Sequence, residues 1–357
     1  MIAIVAHHFV VNSSLMTEIQ DSHIVSLSTY AMILFGAWGK TGINCFVLIT
    51  GYYMCKSSIT LKKFVRLYLQ IVLYALILDL IFMYTGHIEI GFKSVAKYFW
   101  HFIAVGSIKQ GFTSCFLVFW LCIPFLNIFV QHLTKRQHAL FTLLLLTFFT
   151  VLPFFPNYGV SLDYVEWFMI LYMMASYIRF YESDFSRISH KAWGFLALTS
   201  LLLASASIVV LTWLWATNII PYFQPFYLVA DSNMILAVAV AITTFMWFKS
   251  IKMQHSKIIN AAGGATFGVL LIHANSDAMR QWLWRETVDV VGHFQTLSAS
   301  MMVLYSISAV LLIFIACVLI DLARQRWIEP HVNPKFESLL TKSWNGLKSR
   351  IGKSELA

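Results

Sequence analysis

Apolar residues along this chain come in long runs rather than in the two-residue alternation of half-buried strands. The runs fall near 1–15, 36–55, 64–84, 112–131, 138–156, 163–180, 191–215, 226–248, 258–275 and 298–321. A helix needs about 20 apolar residues to cross a bilayer, so the pattern predicts an all-α polytopic membrane protein of about ten transmembrane helices. Two stretches read differently. Residues 91–105 place aromatics and Lys at interfacial spacing, and 277–290 behave alike, so both predict short helices lying on the membrane. Beyond a membrane domain at 1–325, the segment 326–357 sets Phe336, Leu339, Leu340, Leu347 and Ile351 against Lys335, Lys342, Lys348, Arg350 and Lys353. That is a basic amphipathic tail suited to an anionic inner leaflet, although a solvated tail fits the same pattern equally well.

The connectors alternate in charge. Lys56, Lys62, Lys63 and Arg66 form one basic group, followed by Lys135 and Arg136, then Arg179, Arg187 and Lys191, then Lys249, Lys252 and Lys257, then Arg324 and Arg326. Between them fall Glu18 and Asp21, Asp163 and Glu166, and the uncharged stretch 217–225. The positive-inside rule puts the basic set, and with it both chain ends, on the cytoplasmic side. Lys93, Lys97, Lys109, Arg280 and Arg285 run against the rule, in connectors long enough to obey it weakly.

Composition agrees: 59% hydrophobic and 11% charged residues exclude a water-soluble globule. The net charge of +9 sits mostly in the short connectors, which explains it without nucleic acid as a partner. The five cysteines lie inside apolar runs with no C-x-x-C pair, and read as buried thiols rather than disulfides or metal ligands.

A polar side chain inside a span is costly enough to be a functional candidate. His7 and His8 stand in the first run. Neighbours on a helix point about 100° apart, so only one of them faces a cavity squarely and the other packs or hydrogen-bonds. A histidine held out of water favours its neutral form, the form a general base needs. Asn44 and Thr50 lie in the second run, where Gly36, Gly39 and Gly42 read as helix-packing positions. Gly39-Lys40-Thr41 is not a phosphate loop, because the first glycine of that motif would fall at Leu34. Lys62, Lys63 and Arg66 suit either a topology anchor or a socket for a polyanion, and spacing does not separate the two. Asn233 opens the eighth run and His273 ends the ninth. Zincin, lipase-type and soluble acyltransferase motifs are absent.

Several strings taken together resemble the bacterial acyltransferase family 3, integral membrane enzymes that acylate sugars of surface polysaccharides and glycolipids. MIAIVAHHFV is similar to the first helix of that family, where an apolar run ends in a catalytic His followed by an aromatic, a register that selects His8 before Phe9. GINCFVLITGYYM resembles the second-helix signature F-x-x-x-S-G-[YF] through Phe46, Thr50, Gly51 and Tyr52, with Thr in place of Ser. KKFVRLYLQIVLY resembles the basic connector that follows, PFLN at 124–127 the end of the fourth span, and TFGVLLIH the ninth helix. The family's Arg or Lys about ten residues before the His would fall ahead of Met1, and the short first run is in keeping with a helix that begins upstream.

The resemblance implies an O-acetyltransferase type of enzyme. An acyl group such as acetyl would pass from cytoplasmic acyl-CoA to a hydroxyl of a cell-surface sugar or polysaccharide precursor, in a multi-pass protein of the bacterial cell membrane. It implies His8 as general base, His7, Asn44, Thr50, Asn233 and His273 around the substrate, Lys62, Lys63, Arg66 and Arg179 on the donor phosphates, and no metal. A transporter or flippase without covalent chemistry competes, and would call for internal repeats and broken helices. A membrane sensor or assembly subunit is a third reading.

Overall fold

The computed structural model describes residues 1–23, 25–92, 96, 111–155, 158, 160, 162–336 and 338. Among these residues every regular element is helical, as a chain that must satisfy its backbone inside lipid requires. In chain order they are α1 (Ile2–Val11), α2 (Leu15–Ser22), α3 (Leu27–Gly36), α4 (Gly39–Met54), α5 (Leu61–Tyr84), α6 (Phe112–His132), α7 (Lys135–Leu146), α8 (Tyr164–Phe180), α9 (Glu182–Phe185), α10 (His190–Ala216), α11 (Ile235–Ser250), α12 (Lys257–His273), α13 (Asp277–Arg280), α14 (Val290–Thr296) and α15 (Ala299–Ala323). Hydroxyl caps set many of the starts. Thr60, Thr134, Ser189 and Ser256 each accept a hydrogen bond from the backbone N–H three residues on.

Each of the ten predicted runs coincides with a helix, but the number long and apolar enough to span is smaller. Six helices qualify, or eight if two bent pairs each count as one span. The helices that fall short are α8, with 17 residues, and α11, with 16. The reason lies in their surroundings. Trp167, Phe168, Leu171, Tyr172 and Ala175 of α8 are sealed inside the bundle, and the length rule binds helices that face lipid along their whole length. The outer helices α5, α7, α10 and α15 instead turn Leu80, Leu143, Leu202 and Leu312 outward.

Boundaries differ from the runs at four places, one being the eighth run, whose helix α11 begins only at Ile235 rather than at 226. The first run ends at Val11, and after a left-handed Ser14 (φ 68°) α2 departs at 45°. The second begins earlier than residue 36, at Leu27, where Ser26 and Thr29 form a reciprocal cap. The segment from Asp277 to Thr296 leaves α12 at 93°, the turn needed by a helix lying across the end of the bundle. The surface helix expected at 91–105 lies outside the described residues except at 91, 92 and 96. The tail is helical to Phe336, with only residue 338 described beyond it.

The glycines of the second run form the seat for α1. A Cβ on Gly36 would stand 2.6 Å from Val10 Cβ, one on Gly42 would stand 2.9 Å from Ile4, and one on Gly39 would enter the His7 ring. This close approach places the two histidines against the α3–α4 turn. Contacts then sort the connectors into two ends. At one end His87 meets Glu286 (3.3 Å), Gln295 meets Glu18 (2.8 Å) and Lys40 meets Asp231 (3.5 Å). At the other, Lys135 meets Asp184 (2.6 Å) and Asn127 donates to the carbonyls of Met54 and Ser57.

Candidate active site

His8 lies in the last turn of α1 and His273 is the last residue of α12. His8 Nδ1 and His273 Nε2 are 3.0 Å apart, with ring centroids at 5.0 Å. His8 is partly exposed, whereas His273 and its neighbour Trp284, edge-on at 6.4 Å, are completely buried. On its other side His273 donates Nδ1–H to the Val269 carbonyl at 2.6 Å. His7 points elsewhere: its Nδ1–H donates to the Gly36 carbonyl at 2.6 Å, tying α1 to the α3–α4 turn. The two neighbours therefore have different surroundings, one engaged in packing and one paired with a distant histidine.

A cavity of 340 Å³ opens at the same end, between the N-termini of α4, α8 and α11. Lys40 reaches into its wall, donating to the Tyr164 hydroxyl at 2.8 Å and facing Asp231 at 3.5 Å. Asp163, Trp167, Ser232 and Asn233 also line it. Asn233 donates to the Phe149 carbonyl at 2.8 Å. Asn44 is fully buried just behind: its carbonyl accepts from Trp167 Nε1 at 2.8 Å and its amide donates to the Ser232 carbonyl at 2.6 Å. Asn44 thus braces the cavity wall.

Thr50 is not brought to this end. It donates its hydroxyl to the Phe46 carbonyl of its own helix at 2.9 Å. At 1.5 Å per residue it lies about 16 Å along α4 from Gly39, the level of His7. Its neighbour Gly51 packs on α8, where a Cβ would stand 2.9 Å from Ala175 Cβ and 3.2 Å from Tyr172 Cα.

The opposite end, about 22 Å from Gly39 along α4, is basic. Lys63 donates to the Ser58 carbonyl at 2.9 Å, and Lys62 and Arg66 are exposed on the first turns of α5. Arg179 donates to Glu182 at 2.8 Å and to the Tyr52 hydroxyl at 2.9 Å, and Lys249 stands 3.8 Å from the same carboxylate. The hydrogen bond from Tyr52, and after it the one from Arg179, holds the Glu182 carboxyl below its ordinary range. Asp184 is likewise lowered, by the ammonium of Lys135. The sequence candidates therefore divide between two levels: His7, His8, Asn44, Asn233 and His273 near the middle of the Leu27–Met54 span, and Lys62, Lys63, Arg66 and Arg179 at its basic end. Among the described residues no three His, Cys, Asp or Glu are grouped to hold a metal ion.

Sequence reasoning passed over Lys40, Tyr164 and Asp231, and a second buried polar cluster. In that cluster Asp321, wholly buried, accepts from Tyr74 (2.7 Å), Gln325 (2.7 Å), Arg324 (2.8 Å) and Gln70 (3.2 Å). A signal existed for both. A charged residue within an apolar run is a candidate in its own right, and Lys40 and Asp321 are such residues.

The long apolar helices around a buried core define a multi-pass membrane protein. Residues 1–322 match the family model of acyltransferase family 3, described as an acyltransferase domain, and the chain belongs to that family of membrane acyltransferases. No curated protein and no solved structure gives a significant match.

Proposed function

We propose that this protein transfers an acyl group, acetyl in the simplest case, from acyl-CoA to a hydroxyl of a sugar or polysaccharide precursor at the bacterial cell membrane. The observation that carries the reading is a partly exposed His8, paired with a buried histidine at the same end as a polar cavity. An alcohol is a poor nucleophile towards a thioester until a base takes its proton, and a placed imidazole contributes about 10²–10⁴ in rate. His8 takes the hydroxyl proton as the alcohol oxygen bonds to the thioester carbon. The carbonyl electrons then re-form the double bond, the C–S bond breaks, and the thiolate regains that proton from His8.

The acceptor occupies the cavity beside Lys40, where Tyr164, Asp231 and Asn233 offer hydrogen bonds to hydroxyl groups. Lys62, Lys63, Arg66 and Arg179 hold the donor phosphates at the other end, which faces the cytoplasm; the start of α1 is not at that end, since Ile4 packs on Gly42 partway along α4. The donor's long, thin pantetheine arm suits the distance between the ends. Asn44 supports the cavity wall and His7 seats α1 through hydrogen bonds already made within the protein.

Purified protein in nanodiscs, given isotope-labelled acetyl-CoA and glycans of its host, tests this by mass spectrometry of the glycans. Acyl transfer is expected from the wild type and from His7→Ala, and none from His8→Ala present at the same level. A dead His7→Ala with an active His8→Ala assigns the base to His7 instead.

A further inference from the structure

We infer that His273 is a positioning residue whose task is to fix the tautomer of His8, leaving His8 Nε2 as the atom that accepts the proton. The inference runs through two hydrogen bonds. A backbone carbonyl only accepts, so the 2.6 Å contact between His273 Nδ1 and the Val269 oxygen places a proton on Nδ1. A neutral imidazole carries one N–H, and His273 Nε2 is therefore a lone pair. That lone pair faces His8 Nδ1 at 3.0 Å, so His8 Nδ1 must donate. His8, neutral in its turn, is left with Nε2 unprotonated on the far side of the ring.

The competing arrangement puts a second proton on His273 and reverses the bond between the rings. That would bury a full charge in a side chain with no exposure to solvent, walled by Trp284 and by the apolar turns of α12. Among the described residues no carboxylate is paired with His273 to offset it. The neutral ring order is the stable one. When His8 takes the hydroxyl proton it becomes an imidazolium, and its Nδ1–H bond to His273 becomes charge-assisted and stronger. His273 thus orients the base beforehand and steadies it afterwards, the role that the orienting group of a catalytic triad fills for its histidine. The helix supplies the register. His273 reaches Val269 because a residue at i−4 presents its carbonyl to a side chain in the last turn, and that end of α12 abuts the last turn of α1.

The tautomer stands apart from the acyl-transfer reading; only its catalytic consequence rests on that reading. ¹⁵N-histidine-labelled protein in nanodiscs provides the first test, with the His8 signals assigned from a His8→Gln sample. The wild type is expected to show His8 with a protonated Nδ1 and an unprotonated Nε2. His273→Leu is expected to release His8 towards the Nε2–H form that free histidine prefers. His273→Gln, whose side-chain oxygen stands near the position of Nε2 and accepts, keeps the Nδ1–H form and shows that the site still folds. In acyl transfer, His273→Leu should lose about 10- to 100-fold in kcat with both KM values unchanged, and His273→Gln should recover most of it. A wild-type His8 protonated on Nε2 overturns the inference, as does a His273→Leu protein with unaltered His8 signals and kcat. An active His8→Ala enzyme, by contrast, takes the role of base from His8, and a wild type that transfers no acyl group sinks the acyl-transfer reading; either leaves the tautomer result standing.

Discussion

Glu182 receives hydrogen bonds from Tyr52 and Arg179 at the basic end, and these stabilise its ionised form over the protonated one. Its pKa is depressed on folding, so the unfolded chain binds a proton at higher pH than the folded one does. The stabilisation is fully present above the ordinary value of 4.5 and is lost as the pH falls through the lower folded value. Thermal melts in detergent are expected to decline for the wild type below that ordinary value. Glu182→Gln should start lower at neutral pH and decline less steeply; parallel curves would remove Glu182 from the account. Asp184, lowered by Lys135, adds to the wild-type slope in the same direction. Single residues differed in how far the sequence disclosed them. The 100° step between His7 and His8 is a property of any helix, so a division of labour between them was legible. The partners were not. Lys40 meets a hydroxyl 124 positions away, and the hydrogen bond of His8 spans 265. No local pattern encodes separations of that size. Lys40 was hidden further by its place in a glycine-flanked triplet that invites comparison with a phosphate loop.

Helices α4 and α8 form the centre of the bundle, and Gly51 sets their separation. The atoms facing its missing Cβ include Tyr172 Cα, part of a backbone that cannot swing aside. Gly51→Val is therefore expected to overpack the contact and cost about 1–3 kcal/mol, read as a lower melting temperature. Gly263, in α12, has open space around its Cβ position. Gly263→Ala should be neutral or stabilising by up to about 1 kcal/mol through backbone entropy alone. Equal effects from the two substitutions would contradict the close approach at Gly51. The resemblance to a family signature marked Gly51 in the sequence, but only packing gives the reason for a glycine. Asp321, on α15, does comparable work against α5, because it accepts from Tyr74 and Gln70 on that helix and from Arg324 and Gln325 on the turn that follows α15. Asp321→Leu leaves the guanidinium of Arg324, whose side chain is 10% exposed, with Glu329 at 3.1 Å as its remaining carboxylate, and takes the acceptor away from Tyr74, Gln70 and Gln325. A loss of about 1–3 kcal/mol is expected, and an unchanged melting temperature would show the cluster to be dispensable. Run length located these helices and missed how many of them span, since apolarity alone does not distinguish a lipid-facing helix from one walled by protein.

Two chemically distinct levels about 22 Å apart along α4, the histidines near the middle of the Leu27–Met54 span and the basic cluster at its end, give the molecule its polarity. Connector charge divides most of the loops into two sets, and Lys135 with Asp184 unites two loops of the same set, whereas His87 with Glu286 joins the two connectors whose cations run against the rule. What charge could not reveal is that the histidines sit deep in the bundle, well away from the basic cluster, because depth along a helix depends on where α1 and α12 stop. The orientation has a direct test. With the five native cysteines replaced, Gln20→Cys and Ser58→Cys offer exposed positions near the His end and the basic end. A membrane-impermeant thiol reagent added to intact cells should label Gln20→Cys, and Ser58→Cys only after the cells are opened; the reverse order would invert the whole scheme. The same polarity makes the two substrates separable in kinetics. Arg66 lies a helical turn inside α5, deeper than an orienting charge needs to be, and a guanidinium there can form charge-assisted bonds to donor phosphates. If those bonds are equally strong in the ground and transition states, Arg66→Gln should raise KM for acyl-CoA about 10-fold and leave kcat and the acceptor KM nearly unchanged. Lys40→Met, at the cavity, should raise the acceptor KM and spare the donor. A residue that only anchors the fold would change the amount of inserted protein and neither constant. An Arg66→Gln enzyme that inserts normally and keeps its wild-type donor KM would therefore take Arg66 out of donor binding, whatever becomes of Lys40.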